Sequence, residues 1–467
     1  MKMKWLSILL VIGLLAMNTS FAAAGNTPQD GGMKSYLVMF MANKLPANLD
    51  AMVARSGGTV VSTIPELGIA VVEAPNVSFK GKIKAFSGIR SVMPNVKIGL
   101  IDPPQQEAVE VDIANPPYSG NDDFYFDLQW GHDAIDSPEA WAKGYRGKGV
   151  RVAILDTGFD TDHPDLASNI NLELSKSFVP GEPLEYGLDD PFSHGTHVAG
   201  IVAAGDNGFG TIGVAPEAEL VLLKVLGDEG SGDFDWLLSA IVYAANIRAD
   251  VANMSLGALI EYSTLTKDDA KEILELVVAL TRASDYAMKR GTTLIASAGN
   301  EATELNPKKY LHLPSDAPGF ISISATTPVG WAADPSTNLD VPASYTNYGV
   351  YAIDFAAPGG DTLYPGEEIC TVGVLAPLTR PCWVFDLVFS TGSNLNPNTA
   401  SYYWSGGTSM AAPHATGVAA LIVGKYGGSL HPLKVRTLLI AKSDDLGPKG
   451  KDAFYGFGRV NAKKAVR

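Results

Sequence analysis

Cysteine is scarce in this 467-residue chain, with Cys370 and Cys382 alone, and two thiols make a poor zinc cage. Basic charge is short as well: 35 Lys and Arg stand against 50 Asp and Glu, a formal net charge of -15. Without a cluster of Lys and Arg to neutralise phosphates, nucleic acid is excluded as a partner. Beyond the N-terminus no apolar run is long enough to span a bilayer. Internal repeats and low-complexity tracts are missing too. What is present is 46% hydrophobic content, enough to bury a large core over two or three domains.

The first residues suggest a compartment. Lys2 and Lys4 precede an apolar run from Trp5 to Met17, and Ser20-Phe21-Ala22-Ala23-Ala24 supplies small residues for cleavage. Residues 1–24 therefore read as a signal peptide, and no nearby Cys offers a lipid anchor. The mature chain is expected to be secreted, outside the cell or into the periplasm, with no membrane attachment after cleavage. In an exported chain Cys370 and Cys382 are expected to form a disulfide, tethering a surface excursion more than the core.

Residues 35–40 read as a strand, 47–55 as a helix, 59–64 and 68–72 as strands, 80–86 as a helix and 89–92 as a strand. This is a small α+β unit, spanning 34–101. Residues 102–125, with Asp102-Pro103-Pro104 and Asn115-Pro116-Pro117, read as a Pro-rich, acidic linker open to proteolysis. From 126 to 467 the pattern changes to α/β. Apolar runs at 150–155, 221–225, 251–254, 293–296 and 321–325 alternate with helices at 198–204, 233–247, 268–289 and 409–424. Such alternation predicts a parallel sheet covered on both faces. Residues 359–403 lack helical periodicity and read as a surface insertion of irregular or β structure.

Three short motifs carry chemistry. The run Val152-Ala153-Ile154-Leu155 delivers Asp156-Thr157-Gly158 to the carboxyl end of a strand, where α/β sheets gather ligands. Aspartic proteases use the same tripeptide, but they need two facing Asp residues; this chain has one Asp-Thr-Gly and the wrong fold class. Ser193-His194-Gly195-Thr196-His197 enters a helix, and His194 can face the carboxylate, whereas His197 reads as a structural histidine. A zinc site on these two lacks the Glu of His-Glu-x-x-His and a third ligand. Gly406-Gly407-Thr408-Ser409-Met410-Ala411 puts a serine at a helix N-terminus, where backbone N–H groups can stabilise an oxyanion. After Ser409 no acid-then-histidine pair follows, which excludes the α/β-hydrolase order and leaves Asp, His, Ser.

Taken together, Asp156-Thr157-Gly158, His194-Gly195-Thr196-His197 and Gly407-Thr408-Ser409-Met410-Ala411 resemble the three signature motifs of the subtilases. The similarity runs from about Gln129 to Val460. It implies a subtilisin-like parallel sheet of about seven strands flanked by helices, and a serine endopeptidase acting on protein or peptide substrates through an acyl-enzyme. The preceding unit resembles the family's inhibitory propeptide, a ferredoxin-like domain, so the chain is expected to be an autoprocessed zymogen and a monomer. The resemblance implies Ser409 as nucleophile, His194 as general base, Asp156 as its orienting partner and Asn300 as oxyanion donor. Ser255, Leu256 and Gly257 would pair with extended substrate, and Ser297, Ala298 and Gly299 would also bind it. It also implies a structural calcium held by Asp122, Asp165 and Asn207. Lys308, Lys309 and His312 depart from the common pattern near the specificity pocket and leave side-chain preference open.

Overall fold

The computed structural model describes residues 32–75, 78–100, 106–111, 123–397 and 399–467. The expected signal-peptide segment and Asp122 lie outside these residues, as does most of the expected linker.

The N-terminal unit is a four-stranded antiparallel sheet in the order Thr59–Ile64, Ile69–Pro75, Met33–Phe40, Ile89–Pro94, with helices Leu49–Ser56 and Ser78–Lys84. Successive side chains of a strand point to opposite faces, and the apolar run of the first strand serves both. Tyr36, Val38 and Phe40 pack inside the unit with Val53, Phe79 and Ile83. Leu37 and Met39 instead join Leu237, Leu238, Ile241, Leu276 and Leu280 of the larger domain.

The larger domain is built on an eight-stranded sheet. Its parallel strands lie in the order Lys176–Ser177, Glu219–Lys224, Arg151–Asp156, Val251–Met254, Thr293–Ser297, Phe320–Thr327 and Phe355–Pro358, with Val341–Pro342 alone antiparallel. Along Arg151–Asp156, Val152 and Ile154 pack with helices His194–Ala203 and Thr408–Lys425. Ala153 and Leu155 pack on the opposite side against Phe234–Asn246 and Lys267–Arg290. A strand buried on both faces reads as an unbroken apolar run, which is why the sequence signalled a doubly covered sheet. The longest helix starts with a capping box between Thr266 and Asp269 and stops at Gly291, whose left-handed φ of 97° ends it.

Two expectations need correction. Within the expected linker, Gln106–Val111 is a strand, antiparallel to Ala400–Ser405. And residues 359–403 are more than a surface excursion. Phe385, Phe389, Tyr402 and Trp404 form an apolar cluster of their own with Tyr125, Leu128 and Phe209. Helix His194–Ala203 lies so close to this layer that a Cβ on Gly200 would sit 2.1 Å from Thr391 Oγ1, so only glycine fits there. The Cys370–Cys382 disulfide is formed, and Cys382 is buried in that cluster, so the bridge fastens its edge.

Candidate active site

The expected triad residues stand at element ends: Asp156 closes a parallel strand, and His194 and Ser409 lie in the first turns of helices. Asp156 is the last residue of its strand, wholly buried, and its Oδ1 accepts from Thr157 N. Ser193 caps the helix that follows, its Oγ accepting from Thr196 N, which makes His194 the first helical residue. His194 Nδ1 lies 2.7 Å from Asp156 Oδ1. With Nδ1–H donating to the carboxylate, Nε2 is the basic nitrogen; it is buried and has no hydrogen-bond partner. His197, three residues on, points elsewhere: its Nε2 meets Tyr403 O at 3.1 Å, and burial pushes its pKa down to about 3.

Ser409 is the second residue of helix Thr408–Lys425. Its Oγ contacts Ser255 O at 3.4 Å rather than the imidazole. Serine–histidine hydrogen bonds of this kind often tighten only around substrate. The start of the helix is held from the segment around Ser255. Pro413 has no N–H to give to the carbonyl four residues back, and Ser255 Oγ donates to that carbonyl, Ser409 O, at 2.8 Å. Asn253 Nδ2 in turn donates to Ser255 Oγ, and Thr416 Oγ1 to Asn253 Oδ1.

Asn300 is oriented by Thr408. The Thr408 N–H and Oγ1 both reach Asn300 Oδ1, at 2.9 and 2.8 Å, which turns the amide nitrogen toward Gly407. Thr408 Oγ1 also accepts from Gly299 N. Ala298 and Gly299 are pinned by Asn347, whose Nδ2 donates to Ala298 O and whose N donates to Gly299 O. Thr408 and Asn347 escaped the sequence reading, Thr408 although it lies inside the motif and Asn347 because it stands far from any.

The segment Ser255–Gly257 is already paired through its last residue. Gly257 N donates to Gly99 O at 3.1 Å and Gly99 N to Gly257 O at 3.4 Å. The same segment, Lys97–Gly99, pairs antiparallel with Ser231–Asp233 on its other side. Residues 97–99 thus lie as a middle strand between Ser231–Asp233 and Gly257. His312 is wholly buried, and its ring lies within 3 Å of where a Cβ on either Gly257 or Gly299 would stand. Its ring therefore fills space between the two walls.

Asp165 and Asn207, predicted to hold calcium, do meet. Asn207 Nδ2 donates to Asp165 Oδ1 at 3.1 Å, and burial pushes the Asp165 carboxyl well above the usual carboxylate range. Beside them lies Asp123, whose carboxylate accepts from Asn207 N and Gly208 N; the expected ligand Asp122 is outside the described residues. Asn207 Oδ1 is buried without a partner. An orphaned acceptor among two buried carboxylates fits a hard cation.

This fold and this arrangement define a serine endopeptidase built on a parallel α/β sheet. The chain belongs to the subtilase family, whose family profile matches residues 147–458. It is 34% identical over 342 residues to Subtilisin Savinase from Lederbergia lenta, covering 73% of this chain and 99% of that protein. It is 29% identical over 479 residues to Subtilisin E from Bacillus subtilis (strain 168), covering 100% and 99%. Among solved structures, the epidermin leader peptide processing serine protease EpiP from Staphylococcus aureus superposes with a TM-score of 0.71 at 25% identity, over 93% of this chain and 98% of that one.

Proposed function

We propose that the chain is an exported subtilase zymogen in which Asp156, His194 and Ser409 form the catalytic triad. The observation that carries this reading is the 2.7 Å contact between His194 and Asp156 beside a serine at a helix N-terminus. Ser409 Oγ, rotated from Ser255 O onto His194 Nε2, loses its proton as it attacks the substrate carbonyl. Asp156 keeps the proton on Nδ1 and stabilises the imidazolium. Asn300 Nδ2 and the amides of the first helical turn receive the oxyanion. His194 then protonates the leaving amine, and water hydrolyses the acyl-enzyme by the reverse sequence.

Residues 34–101 act in this proposal as the propeptide. The pairing of Lys97–Gly99 with Ser231–Asp233 and Gly257 supports it, because an extended segment there takes the position of a substrate by strand addition. A calcium ion held by Asp165, Asn207 and Asp123 would tie the start of the domain to two loops; bound there, it supplies resistance to local unfolding. Labelling with a fluorophosphonate tests the catalytic assignment. Matured wild-type protein should gain one adduct on Ser409, and a Ser409→Ala chain none. An adduct elsewhere, or none on wild type freed of the N-terminal unit up to residue 101, overturns it.

A further inference from the structure

A second group of carboxylates stands apart from the Asp165 cluster. Asp160 follows Asp156 by four residues and is only 1% exposed. Its Oδ2 accepts from Asn394 N at 3.1 Å, but its Oδ1 is buried with no hydrogen-bond partner. Asp160, Asp162 and Glu185 each bring an oxygen within 4.8 Å of the others'. The charged groups acting on Asp160 are Asp162 and Glu185, both acidic. Those acting on Glu185 are Asp162 and Asp228.

The two loops are set before any ion arrives. Phe159 N donates to Leu184 O and Tyr186 N to Phe159 O, a short backbone ladder that brings residue 185 alongside residue 159. Thr161 N and Oγ1 then hold the Glu185 carboxylate. A buried carboxylate facing two more, with acidic neighbours only, is costly unless a proton or a counter-charge joins them. Burial and those neighbours push the Asp160 carboxyl up to about 8.

We propose that Asp160, Asp162 and Glu185 bind a calcium ion of their own. The donors are all hard oxygens, without the imidazole or thiolate a softer metal would select. Asp160 supplies the buried end and exposed Glu185 the mouth. The bound ion ties the loop leaving Asp156 to the segment around Glu185, so it braces the stretch of chain nearest the His194–Asp156 contact without touching the reacting atoms.

Equilibrium dialysis of the full-length Ser409→Ala protein against radiolabelled calcium, after chelation, tests the site without self-digestion. Adding Asp162→Asn and Glu185→Gln should remove one equivalent of calcium per chain and shrink the calcium-induced rise in Tm. Glu185→Gln alone, at the exposed mouth where folding is least at risk, should weaken one class of site about tenfold or more. Unchanged stoichiometry and an unchanged Tm rise in both variants would overturn the proposal, whatever the fate of the Asp165 site.

Discussion

Gly99 and Gly257 exchange backbone hydrogen bonds in antiparallel register, at 3.1 and 3.4 Å. The glycine from the N-terminal unit thereby occupies the strand edge next to Ser255, whose carbonyl is the partner of Ser409 Oγ. Antiparallel strands advance one residue each way, so the substrate residue that would meet Ser255 stands two beyond Gly99 in sequence. Under the zymogen reading, maturation therefore falls at the Ile101–Asp102 bond.

The grip of the N-terminal unit depends on Arg282. Its guanidinium donates to Leu67 O, Phe40 O and Met41 O across the contact between the two parts of the chain. Arg282→Ala removes charged hydrogen bonds worth about 1.5 to 3 kcal/mol each. The cleaved unit should dissociate at least tenfold faster, seen as a shorter lag before peptidase activity appears. An unchanged lag would mean that the apolar contact around Leu37 and Met39, with the ion pairs Lys80–Glu272 and Arg90–Glu275, sets the release rate without Arg282.

Ser255→Ala withdraws the donor that Pro413 makes necessary. Ser409 O would be left buried without a partner, at a cost of about 1 to 3 kcal/mol, and the start of the helix would lose its brace. Urea unfolding should show the lower stability, and kcat should fall further than KM rises, because the nucleophile is displaced more than the segment proposed to pair with substrate. Equal stability in the two proteins would contradict the account.

Asp386 sets a pH dependence. Its oxygens accept from Gly330 N and Trp331 N at 2.7 and 2.8 Å, and burial pushes its pKa up to about 6. A carboxyl raised in the folded state favours folding while protonated, so its contribution declines as pH rises from about 4 to about 6. Asp386→Asn does not titrate. Its stability relative to wild type should therefore improve by up to about 3 kcal/mol between pH 4 and pH 7. A difference that stays constant with pH would exclude Asp386 as the source.

The strands and helices of both parts were legible because each is an apolar run or an amphipathic period of ordinary length. The strands expected at residues 35–40 and 251–254 are found at Met33–Phe40 and Val251–Met254. Asp156, His194 and Ser409 could be singled out because they sit in short motifs beside sheet and helix ends. Thr408 and Asn347 act through hydrogen bonds made only after folding, across gaps of about a hundred and about fifty residues; the motif around Thr408 does not disclose its partner, and no local pattern marks Asn347. The buried layer around Trp404 was missed for a similar reason. Its strands are short and irregularly spaced, and their apolar residues find partners as remote as Tyr125.

The most direct test is intact mass of the secreted wild-type protein against Ser409→Ala, read beside hydrolysis of labelled casein. The account predicts a wild-type chain that begins at Asp102 and cuts casein, and a mutant that keeps the Ile101–Asp102 bond and does not. Cleavage at that bond in the mutant, purified away from other proteases, would contradict it, as would a wild type that keeps the bond and stays inactive in calcium.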